Sequence, residues 1–172
     1  KFSSTGQYIG KKALQGDVGS YYPSSSSNFS SSISDLAISN DTLHFIAGLH
    51  YGLHLDDNVT VPSKYHYDPL NPSSGQGMQY HLAKYDTNLN YVSSMVLPIT
   101  DNTGFQQATT RFAYDEILNH YYLAGYREGA PLPPLTYDGS SVENISFLLA
   151  INGSDGSLLW HRELYGQSIN NN

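Results

Sequence analysis

The stretch HYGLHLDD, residues 50–57, gathers His50, His54, Asp56 and Asp57 within eight positions. Imidazole and carboxylate groups together can ligate zinc or another divalent ion, and histidines four apart share one face of a helix. A strand pattern precedes this stretch and Gly52 interrupts it, so helical spacing is not assured. The plainer reading is a polar loop at the rim of a sheet. YHYD (65–68) and His81 carry less of the same signal, and His44 and His120 fall in or beside a strand pattern, where a hydrogen-bonded structural histidine is the ordinary case. DTNLN (86–90) offers oxygen ligands at alternate positions, but it lacks the glycine at the sixth position and the distal glutamate of a calcium loop. Asp115 and Glu116 are adjacent, so on a strand they point to opposite faces and make no acid/base pair. There is no Gly-x-Ser-x-Gly elbow and no phosphate loop. No catalytic residue and no cofactor are assigned from the sequence.

Five sequons of the form Asn-x-Ser/Thr are glycosylation candidates: Asn28, Asn40, Asn58, Asn144 and Asn152. All five fall in expected loops or turns. Asn, Ser and Thr collect in turns for conformational reasons as well, so the motif alone does not show that a glycan is attached. YYPSSSSNFSSS (21–32) and NPSSGQG (71–77) read as surface connections, and GAPLPPL (129–135) as an extended proline-rich loop.

The elements that must position these residues are strands. Tyr is heavily used, at 15 of 172 residues, and Ser, Asn and Gly are abundant, which favours strands joined by turns over long helices. The formal charge is −7 with no basic stripe, which argues against nucleic acid and anionic lipid as partners. The absence of cysteine excludes disulfides and thiolate sites. No run of about 18 apolar residues is present to insert as a membrane helix.

Segments of the chain echo one another. Setting Lys1 on Lys84 aligns Phe2 with Tyr85, Tyr8 with Tyr91 and Leu14 with Leu97, without a gap. Setting Ala83 on Ala150 aligns Tyr91 with Leu158, Val92 with Leu159 and Leu97 with Leu164. The turns between are SSTGQ, DTNLN and GSDGS, so each copy is an expected β-hairpin. LHFIAGLHYG (43–52) matches HYYLAGYREG (120–129), with Ala47-Gly48 on Ala124-Gly125, and DLAIS (35–39) resembles RFAYD (111–115). Apolar residues on both faces of the first pair predict strands buried on both sides. The resulting fold class is all-β: tandem four-stranded antiparallel blades forming a partial β-propeller. The expected division is 1–14 as the last hairpin of a preceding blade, 34–97 as one blade and 110–164 as the next.

On these residues the chain resembles extracellular β-propeller repeats of large bacterial surface proteins, through AKYDTNLNYV (83–92) and AINGSDGSLLW (150–160). The second stretch is also similar to the blade hairpin of quinoprotein-like propellers, although Trp160 has Ser93 and Gly10 at its equivalent positions. The resemblance implies a non-enzymatic extracellular or cell-surface segment for adhesion, recognition or structure, its long loops presented to a glycan or protein. A propeller closes with about four or more blades, so the expected partners are the remainder of the ring or neighbouring chains. The rival readings are a fragment of a quinoprotein-like oxidoreductase and a subunit of a glycosylated extracellular filament or coat.

Overall fold

The computed structural model describes residues 1–11, 32–65, 78–100, 109–127, 131–132 and 134–164. Asn28 lies outside them. In chain order the strands are β1 (Ser32–Ser39), β2 (Thr42–Leu49), β3 (Gly52–His54), β4 (Val59–Val61), β5 (Gln79–Asp86), β6 (Tyr91–Val96), β7 (Ile99–Thr100), β8 (Thr109–Asp115), β9 (His120–Tyr126), β10 (Thr136–Tyr137), β11 (Ser140–Ser141), β12 (Ser146–Asn152) and β13 (Leu158–Leu164). The one helical element among the described residues is a short 3-10 turn, Ser63–Tyr65. Two four-stranded antiparallel sheets result, ordered β1-β2-β5-β6 and β13-β12-β9-β8. Each carries a hairpin inserted between its second and third strands, β3–β4 in the first sheet and β10–β11 in the second, and β10 also pairs with β7.

Strand β2 explains why the first sheet is two-sided. Every residue from His44 to Leu49 is buried. Ile46 joins Tyr80 and Leu82 in a core shared with Phe112, Tyr121, Leu123, Phe147 and Leu149 of the second sheet. Phe45, Ala47 and Leu49 point the other way, with Ala83 and Tyr85, under Leu55, Val59 and Val61 of the β3–β4 hairpin. Full burial of a Leu, Ile or Phe side chain contributes about 1.5–3 kcal/mol, so both faces of β2 hold the fold together. Strand β9 departs from the expectation of burial on both sides. Tyr121, Leu123 and Gly125 are buried, while Ala124 and Tyr126, on the other face, are exposed.

The two large sheets are built alike in detail. Each has a bulge in its last ladder, at Val92 between the Lys84–Ser93 and Tyr85–Tyr91 pairs, and at Leu159 between Ala150–Trp160 and Ile151–Leu158. Setting bulge on bulge places Ala83 with Leu149 and Phe45 with Leu123, one position away from the sequence matches of Ala83 with Ala150 and Phe45 with Tyr122. A turn-to-turn hydrogen bond fixes the same setting. The Thr87 amide donates to Asp41 O at 3.0 Å, and the Gly153 amide to Asn119 O at 2.8 Å. The physical reason for the shift is turn length. Two residues separate Ser39 from Thr42 and four separate Asp115 from His120; five lie between Tyr85 and Tyr91 and six between Ile151 and Leu158. A one-residue slip exchanges the faces of a strand, so the partner of Ala47 is Gly125, not Ala124. The close approach expected at that Ala-Gly pair is to a side chain: a Cβ on Gly125 would lie 2.1 Å from the Phe147 ring. The match of Leu97 with Leu164 also fails, since Leu97 is buried and Leu164 exposed.

The first ten residues form a small hairpin of the same design. Phe2 stands opposite Tyr8 with rings edge-on at 5.6 Å, as Tyr85 stands opposite Tyr91 at 5.8 Å. Both turns use the same two backbone hydrogen bonds, Ser3 N to Gln7 O and Gly6 N to Ser3 O in one, Asp86 N to Asn90 O and Leu89 N to Asp86 O in the other. The fourth turn residue is left-handed in each, Gly6 at φ 80° and Leu89 at φ 70°. The Lys1 ammonium donates to Thr87 O, tying this hairpin to the first sheet.

Candidate functional site

The β3–β4 turn carries the sequence-stretch ligands, and its backbone decides where they point. Leu55, Asp56 and Asp57 are consecutive left-handed residues, with φ of 53°, 58° and 65°. Asp tolerates this region better than most residues, but three in a row need outside support. Asn58 supplies it, its Nδ2 donating to Leu55 O at 3.0 Å and Asp56 O at 2.9 Å. Leu55 is thereby driven into the core beneath the hairpin while Asp56 and Asp57 remain exposed. His54 is buried, with Nε2 donating to His50 O at 2.8 Å. The four candidates therefore do not converge, and among the described residues no group of three or more His, Asp or Glu is placed to hold a metal ion.

What does gather there is a pair of histidines that sequence spacing does not connect. His81, on β5, is buried and donates from Nε2 to Gln79 Oε1 at 3.0 Å. Burial, and next the neighbouring His54, push its pKa down to about 4. The Nδ1 atoms of both rings are buried without a hydrogen-bond partner among the described residues. Beside them, burial and then the charge of Asp56 raise the Tyr85 phenol above its usual range. The sequence signal that could have found the pair is the alternation of QYHLAKYD (79–86), which puts His81 on the face shared with Ala83 and Tyr85.

The second constellation is the join between the large sheets. Strands β1 and β8 lie side by side and parallel. Asp35 Oδ2 accepts the Phe112 amide at 3.1 Å, and four residues along, Ser39 Oγ donates to Glu116 Oε2 at 2.5 Å. Asn40 Nδ2 donates to the other oxygen of Glu116. His44 bridges to Tyr121 through a 2.7 Å contact between Nδ1 and the phenol oxygen, and its ring stacks on Tyr114 at 4.5 Å. Burial, and secondarily the nearby Lys84, lower the His44 pKa, which favours a neutral ring in this contact. Further out, Leu135, Tyr137 and Val142 of the β10–β11 region fill the space between the sheets, and the Tyr137 hydroxyl donates to Gly156 O at 2.7 Å.

The sequons fall in different environments. Asn58 spends its side-chain amide on the β3–β4 turn, as described. Asn40 is engaged by Glu116. Asn144 gives both its backbone and side-chain N–H to Glu163 Oε2, at 2.6 and 2.8 Å. Burial raises the Glu163 pKa, but these bonds outweigh it and hold the carboxylate below its usual range. The buried Arg127 guanidinium fixes the same segment through Val142 O and Asn144 O, each at 2.8 Å. Asn152 differs, because its Oδ1 accepts the Ser154 amide at 2.9 Å while its Nδ2 makes no hydrogen bond among the described residues.

Comparison with known proteins adds no assignment: no family model, no curated protein and no solved structure matches the chain.

Proposed function

We propose that the chain is a segment of an extracellular, non-enzymatic β-propeller in a surface protein for adhesion, recognition or structure. The observation that supports this most is the join of two like sheets through their first strands. Successive blades around an axis meet in this way, with inner strands parallel and close and outer strands splayed. Here β1 and β8 run in the same direction within hydrogen-bonding reach, and the inserted hairpin region fills the wedge outside them. The long connections leave each sheet at the end opposite its short turns, so they form one rim. That rim is where a glycan or protein partner would be met. The remainder of the ring comes from a longer polypeptide or from neighbouring chains, and the sequons fit an exterior that carries glycans.

Electron microscopy of the native material together with surface labelling tests the reading. Ring-shaped particles, and modification of intact source cells by a membrane-impermeant reagent, are expected. Compact particles without a ring, or protein protected until the cells are lysed, would overturn it.

A further inference from the structure

Among the described residues, the join between the two sheets leaves both of its own halves open elsewhere on the molecule. The second sheet turns one face toward the first. Its other face presents Tyr122, Ala124, Tyr126, Leu148 and Trp160, with Tyr126 48% and Trp160 39% exposed. Setting bulge on bulge makes these the counterparts of His44, Ile46, Gly48, Leu82 and Ser93. His44, Ile46, Gly48 and Leu82 are all buried, and Ile46 and Leu82 pack into the core shared by the two sheets. The opposite side of the molecule shows the reverse. On β1, Leu36 and Ile38 are 51% and 68% exposed, while their counterparts on β8, Phe112 and Tyr114, pack into the shared core, Phe112 at 8% exposure. The first sheet also already carries its inserted hairpin over the outer part of this face, just as the β10–β11 region fills the outer part of the existing join. One open side is thus built like the acceptor of the join and the other like the donor.

We propose that the open face of the second sheet takes the Leu36–Ile38 side of a second copy of this chain, repeating the internal join head to tail. The two patches are different surfaces, so the contact is heterologous, and association runs on until a ring closes or a filament grows. This deepens the propeller reading above and rests on it.

The test is sedimentation velocity on the full 172-residue chain, with circular dichroism as the check on folding. The wild type is expected to form species larger than a monomer, increasing with concentration. Trp160→Arg on one face and Ile38→Arg on the other should each reduce association at least tenfold while leaving the strand signal intact. Tyr126→Arg and Leu36→Arg serve as the second pair should either fail to fold. An equimolar mixture of the two face variants retains one good donor and one good acceptor, and should give a dimer and nothing larger. A folded wild type that stays monomeric at every concentration, variants that associate like the wild type, or a mixture that stays monomeric would each overturn the proposal. A separate probe guards the underlying reading. Ser39→Cys with Glu116→Cys, in a chain free of other cysteines, should be bridged within one molecule by a short bis-maleimide. Bridging in a chain that stays monomeric removes the head-to-tail contact alone, whereas failure to bridge removes the internal join as well.

Discussion

Tyr121 and His44 meet at 2.7 Å across the join of the two sheets, and both are buried. The pair is one of the few polar links inside an otherwise apolar core. Tyr121→Phe keeps the ring and leaves the histidine nitrogen without a partner, which costs about 1–3 kcal/mol. Urea denaturation should show that loss. Tyr91→Phe, which gives up only a half-buried contact with Ser94, should show much less.

Acid should weaken the β3–β4 side of the molecule. His81 is neutral in the folded state, with a pKa of about 4 against an ordinary value of 6.5. The unfolded chain therefore takes up the proton first as the pH falls. Stability from this group is complete above about pH 6.5 and declines below it at up to about 1.4 kcal/mol per pH unit, levelling off below pH 4. Denaturation midpoints measured from pH 8 to pH 4 should follow this course. His81→Leu should flatten the slope, and an unchanged slope would exclude His81 as its source.

Leu89 occupies a left-handed position that Gly6 fills in the matching turn. For a residue with a Cβ that conformation costs roughly 1–2 kcal/mol, partly offset by the greater freedom glycine gives the unfolded chain. Leu89→Gly should raise stability by about 0.5–1 kcal/mol. Gly156→Ala should lower it, since Gly156 has φ 77° and an added Cβ would sit 3.3 Å from Met95 Sδ. Thermal melts of the two variants should move in opposite directions.

Glycan tolerance should follow hydrogen bonding. Secretion from a eukaryotic host, followed by peptide mapping of the folded fraction, should find Asn152 modified and Asn58 bare. Asn58→Ala breaks both bonds that support the left-handed turn and should cost about 1–3 kcal/mol. A folded fraction carrying glycan on Asn58 at full stability would contradict this account of the turn.

Much of the strand plan was legible, and its limits are physical. The alternation of short apolar runs with Asn-, Asp- and Gly-rich turns marks the four-strand order of each sheet, and the pairing of Phe2 with Tyr8 mirrors that of Tyr85 with Tyr91. The setting of β2 on β9 and of β5 on β12 was not legible, because identity at Ala47-Gly48 and at Ala83 drew the alignment one residue off. Only the ladders show how turn length shifts the register. The inserted hairpins were hidden for another reason. Their strands are two or three residues long, too short for a period to show. At the histidines, spacing drew attention to His50 and His54, whereas the sheet brings His81 to His54 from 27 positions away along the chain.

The bond from Thr87 to Asp41, and its twin from Gly153 to Asn119, fasten neighbouring turns to each other at one end of each sheet. An insertion in either turn has to leave this bond in place to keep the two turns together. Both inserted hairpins emerge from the opposite end, where the connections fasten to each other instead: β10 pairs with β7 and the Asp138 amide donates to Pro98 O at 2.7 Å. The two ends therefore differ in what they hold, short clasped turns at one and inserted hairpins at the other. Length added to a connection alters the hairpin pole and leaves the bond between the short turns in place.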